Sequence, residues 1–229
     1  MQLSKLINNL DKKYQGHIIK NISYNSKNCK PGSIFFSIKG NKLNGEDFID
    51  EAIKNGANII ISKNRFQGYK NKVLYLYSSN PRSLLAKISS KFYPEKPKNL
   101  IAVTGTNGKS SIANFYNQIM YLCKKRSCSI GTLGVIGNQI KRKTNNTTLD
   151  PISLHKILSR IKKKNIENLI LEASSHGLHQ NRLDGIKFDI GIFTNLTKDH
   201  LDYHRNYKNY FNSKLILFKK RLKMNGLVI

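Results

Sequence analysis

Between residues 104 and 111 the chain reads Thr-Gly-Thr-Asn-Gly-Lys-Ser-Ser, a stretch whose residue types suit phosphate. Gly105 and Gly108 carry no Cβ, so the backbone can wrap closely around phosphate oxygens. A helix starting behind them would present unpaired N–H groups to an anion. Lys109 can reach the β- and γ-phosphates, and the Ser110 hydroxyl can ligate Mg2+. Thr106, Asn107 and Ser111 complete this candidate nucleotide-binding loop. It is not a strict G-x-x-x-x-G-K-[ST] loop, because Val103 stands where that pattern has glycine. An ordinary glycine turn is the competing reading. The apolar strand before the loop, the helix after it and the Lys-Ser pair favour nucleotide binding.

Two further segments carry chemistry. In LEASSHGLHQNRL (171–183), Glu172 closes an apolar run and so falls near the carboxyl end of a buried strand, where open α/β sheets bind ligands. A carboxylate there, opposite a phosphate loop, is a natural Mg2+ ligand; a solvated loop residue is the alternative. FTNLTKDHLDYH (193–204) brings Asp199, His200, Asp202 and His204 together just past another apolar run, which suits metal binding or acid–base work. Lys214 follows in the next helix.

The elements that must position these residues follow from periodicity and turn signals. Strands are expected over 33–40, 58–62, 72–77, 99–105, 168–174 and 188–195, with strand and turn over 127–134. Helices are expected over 46–57, from Pro81 to about 92 behind an Asn80 cap, and over 111–125, 151–164 and 209–222. YPEKPKN (93–99) reads as a linker. This alternation predicts an α/β chain: a small N-terminal α/β domain over 1–96, then a P-loop ATPase-like, mostly parallel β/α domain over 97–229 with helices on both faces. Gly226 to Ile229 reads as the opening of one more strand, which suggests a fragment of a longer protein. No internal repeat or low-complexity segment is present.

Forty Lys and Arg against 13 Asp and Glu give a net charge of +27. Charge alone argues about solubility and non-specific binding. The lysines are spread along the chain beside Asn and Ile, with no zinc-finger, RNP or bZIP pattern, so no specific nucleic-acid partner is expected. Cys29, Cys123 and Cys128 have no metal-ligand or disulfide spacing, which fits a reducing compartment. The first residues lack the apolar core of a secretory signal, and no apolar run is long enough to span a bilayer. The expectation is a cytoplasmic monomer with small-molecule substrates and no membrane association.

These strings together resemble the Mur ligases, of the MurE type. The shared pattern is the loop TGTNGKS, a glutamate (Glu172) before Ser174-Ser175-His176, then Arg182, Thr194-Asn195-Leu196, Asp199-His200-Leu201-Asp202-Tyr203-His204 and Lys214. The amino-terminal third is similar more loosely, through Tyr24-Asn25-Ser26-Lys27, Pro31-Gly32, Ile34-Phe35 and Asn44-Gly45. Asn25, Lys27 and Asn44 replace the family's Asp, Arg and Asp, and Leu149 follows Thr147-Thr148 where the family has Pro. Lys for Arg removes a planar bidentate fork.

The resemblance implies ATP-dependent ligation of diaminopimelate or lysine to UDP-N-acetylmuramoyl-L-Ala-D-Glu through an acyl phosphate, in peptidoglycan precursor synthesis. It places ATP on residues 105–111, with Lys109, Glu172, His200 and Lys214 as catalytic residues. One Mg2+ would sit on Ser110 and Glu172, and a second on Glu172, His200 and a carbamylated Lys214. Ser26, Asn41, Lys42 and Leu43 would meet the uridine end of the substrate. Asn146, Thr147, Thr148, Ser174, Gln180 and Arg182 would line its phosphates, sugar and peptide, with His176, His179 and His204 in supporting places. The family's C-terminal ligase domain has no counterpart here, so the chain alone is expected to be inactive. The alternative is a fragment that only binds ATP or the UDP-substrate.

Overall fold

The computed structural model describes residues 1–40 and 43–229. The chain forms two compact units, Met1–Phe92 and Tyr93–Ile229. It is a mixed α/β chain with parallel-rich sheets, as the alternation of apolar runs implied.

The first unit holds strands β1 (Asn21–Ser23), β2 (Ser33–Phe36), β3 (Ala57–Ser62), β4 (Gly68–Lys70) and β5 (Val73–Tyr77), with helices α1 (Leu3–Leu6), α2 (Ile49–Lys54) and α3 (Pro81–Phe92). The sheet order is β1-β2-β3-β5-β4, parallel except for the antiparallel edge strand β4. Ile34, Phe35, Phe36, Ile59, Ile60 and Ile61 are all buried. Strands covered on both faces show such unbroken apolar runs. The Asn80 carboxamide accepts the Ser83 N–H at 3.0 Å, so α3 starts at Pro81 as its capping signal predicts. The helix expected over 46–57 is split into a 3-10 turn, Gly45–Phe48, and the short α2.

The second unit holds β6 (Asn99–Thr104), α4 (Lys109–Leu122), β7 (Ser127–Gly131), β8 (Gly134–Gly137), β9 (Ile140–Arg142), α5 (Pro151–Lys163), β10 (Asn168–Glu172), α6 (Ser175–His179), β11 (Phe188–Phe193), α7 (Leu201–His204), α8 (Tyr207–Ile216) and β12 (Leu222–Val228). The sheet order is β12-β11-β6-β10-β7-β8-β9. Alternate residues of β6 serve opposite faces: Leu100 and Ala102 pack in one cluster with Leu154, Leu158 and Ile161 of α5. Ile101 and Val103 pack in another with Ala113 of α4. Helices therefore cover both faces. Asp150 caps α5 by accepting the Ser153 N–H at 3.0 Å, with Pro151 at the first helical position. Leu149, in place of the family's Pro, lies buried in the α5-side core.

The second unit departs from expectation in three places. The antiparallel hairpin β8–β9 was not foreseen, because its strands, Gly-Val-Ile-Gly and Ile-Lys-Arg, are too short to show a clear period. The helix expected over 209–222 ends at Ile216 and widens into a π turn over Leu217–Arg221. The strand expected from Gly226 begins at Leu222, which pairs with Phe188 of β11. Pairing with β11 competes for the residues that continued helix would need.

Candidate active site

β6 is flanked by β11 and β10, so the segments following three adjacent parallel strands meet at one sheet edge. The phosphate loop leaves β6, Glu172 ends β10, and residues 194–200 leave β11. Cross-strand registers set Glu172 beside Val103 and Phe193 beside Thr104.

The loop is braced by the segment after β11. The Asn107 N–H donates to Asn195 Oδ1 at 2.9 Å, the Thr106 N–H to the Asn195 carbonyl at 3.0 Å, and Thr194 Oγ1 to the Asn107 carbonyl at 2.6 Å. A Cβ on Gly105 would lie 1.8 Å from Thr194 Oγ1, so this approach requires glycine. Gly108 caps α4 at φ 82°, a left-handed conformation, and turns Lys109, Ser110 and Ser111 into the first helical turn. First-turn N–H groups have no partner within the helix and face an anion site. Lys109 Nζ donates to the Gly105 carbonyl at 2.9 Å and the Thr106 carbonyl at 2.6 Å. Desolvation holds its pKa below the ordinary lysine value, against the pull of Glu172 and Asp199.

Glu172 is 2 % exposed and accepts three hydrogen bonds. Ser110 Oγ donates to Oε2 at 2.9 Å, and Thr132 donates through its N–H to Oε1 and its hydroxyl to Oε2, both at 3.1 Å. Lys214, on α8, is 1 % exposed. Its Nζ donates to the Gly105 carbonyl at 2.6 Å and lies 4.3 Å from the Tyr210 ring centre. Burial, with Lys109 adding to it and Asp199 opposing, lowers its pKa to about 7. His200 has a left-handed backbone at φ 51°, and its ring lies 3.4 Å from the Asp199 carboxylate.

One cavity of about 250 Å3 is lined by the whole loop 105–111 together with Thr132, Thr147, Glu172, Ser174, His200, Tyr210 and Lys214. Ser110 and Glu172 offer hard oxygen donors from one wall, which fits Mg2+. Among the described residues no three His, Cys, Asp or Glu side chains converge as a metal site by themselves. Ser110 and Glu172 are therefore the oxygen donors that this wall supplies. The Asp199–His204 cluster is dispersed: His200 lines the cavity, whereas Asp202 is exposed and His204 is buried against His176, His179, Tyr203 and Tyr210.

The candidate substrate residues of this unit also gather. Thr148 Oγ1 donates to the Glu172 carbonyl at 2.7 Å and accepts the Ser174 N–H at 2.9 Å. Arg182 donates to the Thr148 carbonyl at 2.6 Å and to Gln180 Oε1 at 2.7 and 3.1 Å. Asn146 is exposed at the start of the same loop. In the first unit, Ser26 is buried and donates to Glu51 Oε2 at 2.5 Å, and Leu43 is exposed. Asn41 and Lys42 lie outside the described residues.

Several residues around the cavity had no role assigned from the sequence. Thr132 holds Glu172, Tyr210 meets Thr106 through hydroxyls 3.0 Å apart, and Thr194 and Asn195 brace the loop. Thr194 and Asn195 were legible only as part of the Thr194-Asn195-Leu196 string, whereas nothing marked Thr132 or Tyr210.

Residues 103–229 match the family model described as Mur ligase middle domain, and residues 18–93 match Mur ligase family, catalytic domain. The chain belongs to the Mur ligase family. It is 44% identical over 225 residues to a UDP-N-acetylmuramoyl-L-alanyl-D-glutamate--2,6-diaminopimelate ligase of Rickettsia conorii, covering 96% of this chain and 47% of that protein. A ligase of the same name from Bradyrhizobium diazoefficiens is 38% identical over 211 residues, covering 92% and 43%. Among solved structures, a ligase of that name superimposes with a TM-score of 0.82 at 29% identity, covering 97% of this chain and 46% of that one. MurF ligase from Thermotoga maritima in complex with ADP shares the fold, with a TM-score of 0.59 at 20% identity over 91% of this chain and 45% of that one. This Mur ligase chain spans about half the length of the curated relatives it matches. Among its described residues no helix is long and apolar enough to cross a membrane.

Proposed function

We propose that this chain carries the nucleotide and UDP-substrate sites of an ATP-dependent ligase. That ligase joins diaminopimelate, the amino acid in its relatives' names, to UDP-N-acetylmuramoyl-L-Ala-D-Glu in peptidoglycan precursor synthesis. The observation that carries this reading is the single cavity shared by Lys109, Ser110, Glu172, His200 and Lys214 at the carboxyl ends of β6, β10 and β11. We assign residues 1–96 to the UDP end of the substrate, with Ser26, Leu43 and the undescribed Asn41 and Lys42 as its contacts. Residues 97–229 are assigned to ATP.

Bound ATP and Mg2+ would supply the phosphoryl group that activates the substrate carboxylate and the positive charge that offsets it. The chain's part is to hold and orient. Gly105 to Ser111 offer backbone N–H groups to phosphate oxygens, and Lys109 exchanges its two carbonyl partners for phosphate. Ser110 and Glu172 would hold one Mg2+, and Glu172, His200 and a carbamylated Lys214 a second. Lys214 is suited to that modification because near pH 7 a large fraction of its amine is neutral. The neutral nitrogen adds to CO2, forming an N–C bond and releasing one proton, and a cation becomes an anionic oxygen ligand. Thr147, Thr148, Ser174, Gln180, Arg182 and Asn146 would orient the muramoyl-peptide, with Arg182 the natural partner for its carboxylate or phosphate. A cytoplasmic monomer is the setting in which these soluble substrates are met.

The chain covers about half of its relatives, which favours a second reading: a unit that binds ATP and the UDP-substrate without turning them over. ADP release by the purified chain separates the two. ATP and Mg2+ are present throughout, with and without UDP-N-acetylmuramoyl-L-Ala-D-Glu and diaminopimelate or lysine. We expect Mg2+-dependent ATP binding but no release that depends on both substrates. Release requiring both would establish a complete ligase and identify its amino acid. Absence of any nucleotide binding by the folded chain would refute the site.

A further inference from the structure

Hydroxyl protons around Glu172 can be counted. An ionised carboxylate only accepts hydrogen bonds, and a threonine hydroxyl has one proton to give. Thr132 Oγ1 lies 3.1 Å from Glu172 Oε2, so its proton is committed there. It also lies 3.0 Å from Thr147 Oγ1. In that contact Thr147 must be the donor. Thr147 therefore shows the cavity only lone pairs. A second path runs through the main chain: Thr148 Oγ1 gives its proton to the Glu172 carbonyl, so across their 3.0 Å contact Ser174 must donate to Thr148. Ser174 Oγ in turn accepts the Gly177 N–H. Both threonines of the 147–148 pair are thus oriented by Glu172, one through its side chain and one through its backbone.

Resting on the nucleotide and substrate sites proposed above, we propose that Thr132 is a positioning residue that couples them. Its N–H and hydroxyl grip both carboxylate oxygens of Glu172, and its oxygen sets Thr147 as an acceptor toward the substrate. Once Ser110 turns its oxygen to a cation, Thr132 is the remaining hydroxyl that holds the carboxylate in place. The group that meets Thr147 is then a donor, an amide N–H or a sugar O–H, whereas anionic groups of the same substrate belong to Arg182.

Thr132→Val keeps the branched shape and the backbone N–H and removes only the hydroxyl. Thr132→Ser keeps the hydroxyl. Calorimetric titration of the chain with a non-hydrolysable ATP analogue, across a Mg2+ series, reads the nucleotide side. Titration with UDP-N-acetylmuramoyl-L-Ala-D-Glu, with and without that analogue, reads the coupling. Thr132→Val is expected to weaken Mg2+-dependent nucleotide binding about tenfold and leave Mg2+-free nucleotide binding unchanged, which also reports an intact fold. It is expected to abolish any change in dipeptide-substrate affinity caused by the nucleotide, and Thr132→Ser to restore both. Thr147→Val is expected to weaken only the substrate. Thr132→Val binding with the wild-type Mg2+ dependence, or Thr132→Ser failing like Thr132→Val, overturns the assignment. A wild-type chain that binds no nucleotide removes the underlying site as well, a distinct result.

Discussion

Replacing Gly131 by alanine adds one methyl group at the end of β7, and that methyl would fall on Glu172. An ideal Cβ there lies 2.0 Å from Oε1, 2.4 Å from Cδ and 2.6 Å from Cγ of Glu172. Ordinary contacts of this kind are about 3.5–4.0 Å, so the carboxylate must retreat by more than an ångström. Gly131 does not have a positive φ, so alanine brings no backbone strain of its own. The Glu172 backbone is held in register with Val103 of β6, and Leu171 before it with Ile130 of β7, which leaves the side chain to move. Its hydrogen bonds from Ser110 and Thr132 are then lost or lengthened. Bonds to a charged group contribute about 1.5–3 kcal/mol each, and partial recovery leaves a net loss on the order of 2–4 kcal/mol. The two units need not unfold together, so the change is best read by hydrogen exchange of β7 and β10 amides. A double-mutant cycle with Glu172→Ala supplies the decisive comparison. With the carboxylate gone the methyl has room, so Gly131→Ala should add little, giving a coupling of about 2 kcal/mol or more. Strictly additive effects, or a Gly131→Ala variant within about 0.5 kcal/mol of wild type, would refute the steric argument.

Other expectations follow from buried groups. Lys214 has a pKa lowered to about 7, so the unfolded state binds more protons between there and the ordinary lysine value, and stability should rise with pH across that window. Lys214→Met should flatten that rise in urea titrations, and 13C-labelled bicarbonate should give a carbamate NMR signal that fades below pH 7. His155 on α5 is buried, its Nε2 has no hydrogen-bond partner among the described residues, and desolvation, with Lys96 adding to it, lowers its pKa to about 4. Because the folded state then binds fewer protons, stability should fall as pH drops from 6.5 toward 4, by up to roughly 1.4 kcal/mol per pH unit, and His155→Leu should remove that slope. Leu158, fully buried between α5 and the sheet, should cost about 2–5 kcal/mol on replacement by alanine, seen in exchange of β10 amides. Lys109→Met should abolish nucleotide binding while leaving thermal stability near wild type, since its partners are loop carbonyls.

Local physics was readable along the chain. Asn80-Pro81 and Asp150-Pro151 carry their capping chemistry within four residues, and α3 and α5 begin where those pairs place them. The apolar runs at 99–104 and 168–172 are strands buried over almost their whole length, the run at 188–193 is a strand buried at Phe188 and Gly191, and a glycine loop before Lys109 had to end one element and open another. Boundaries were less legible where tertiary pairing competes, as at Leu222, which leaves a helical run to pair with Phe188.

The convergence of the site was not local. Ser110 meets Glu172 across 62 positions, Thr132 meets it across 40, and Lys214 reaches Gly105 across 109. Periodicity and capping act over a few residues, so they determined that strands, helices and a phosphate-suited loop would form. They carry no information on which strands lie side by side. The order β11-β6-β10-β7 decided that, with β6 and β10 at the centre and apolar packing on both of their faces. That order turned a lysine of α8 into a buried amine, a glutamate into a carboxylate shared by Ser110 and Thr132, and Gly131 into the residue that leaves it room.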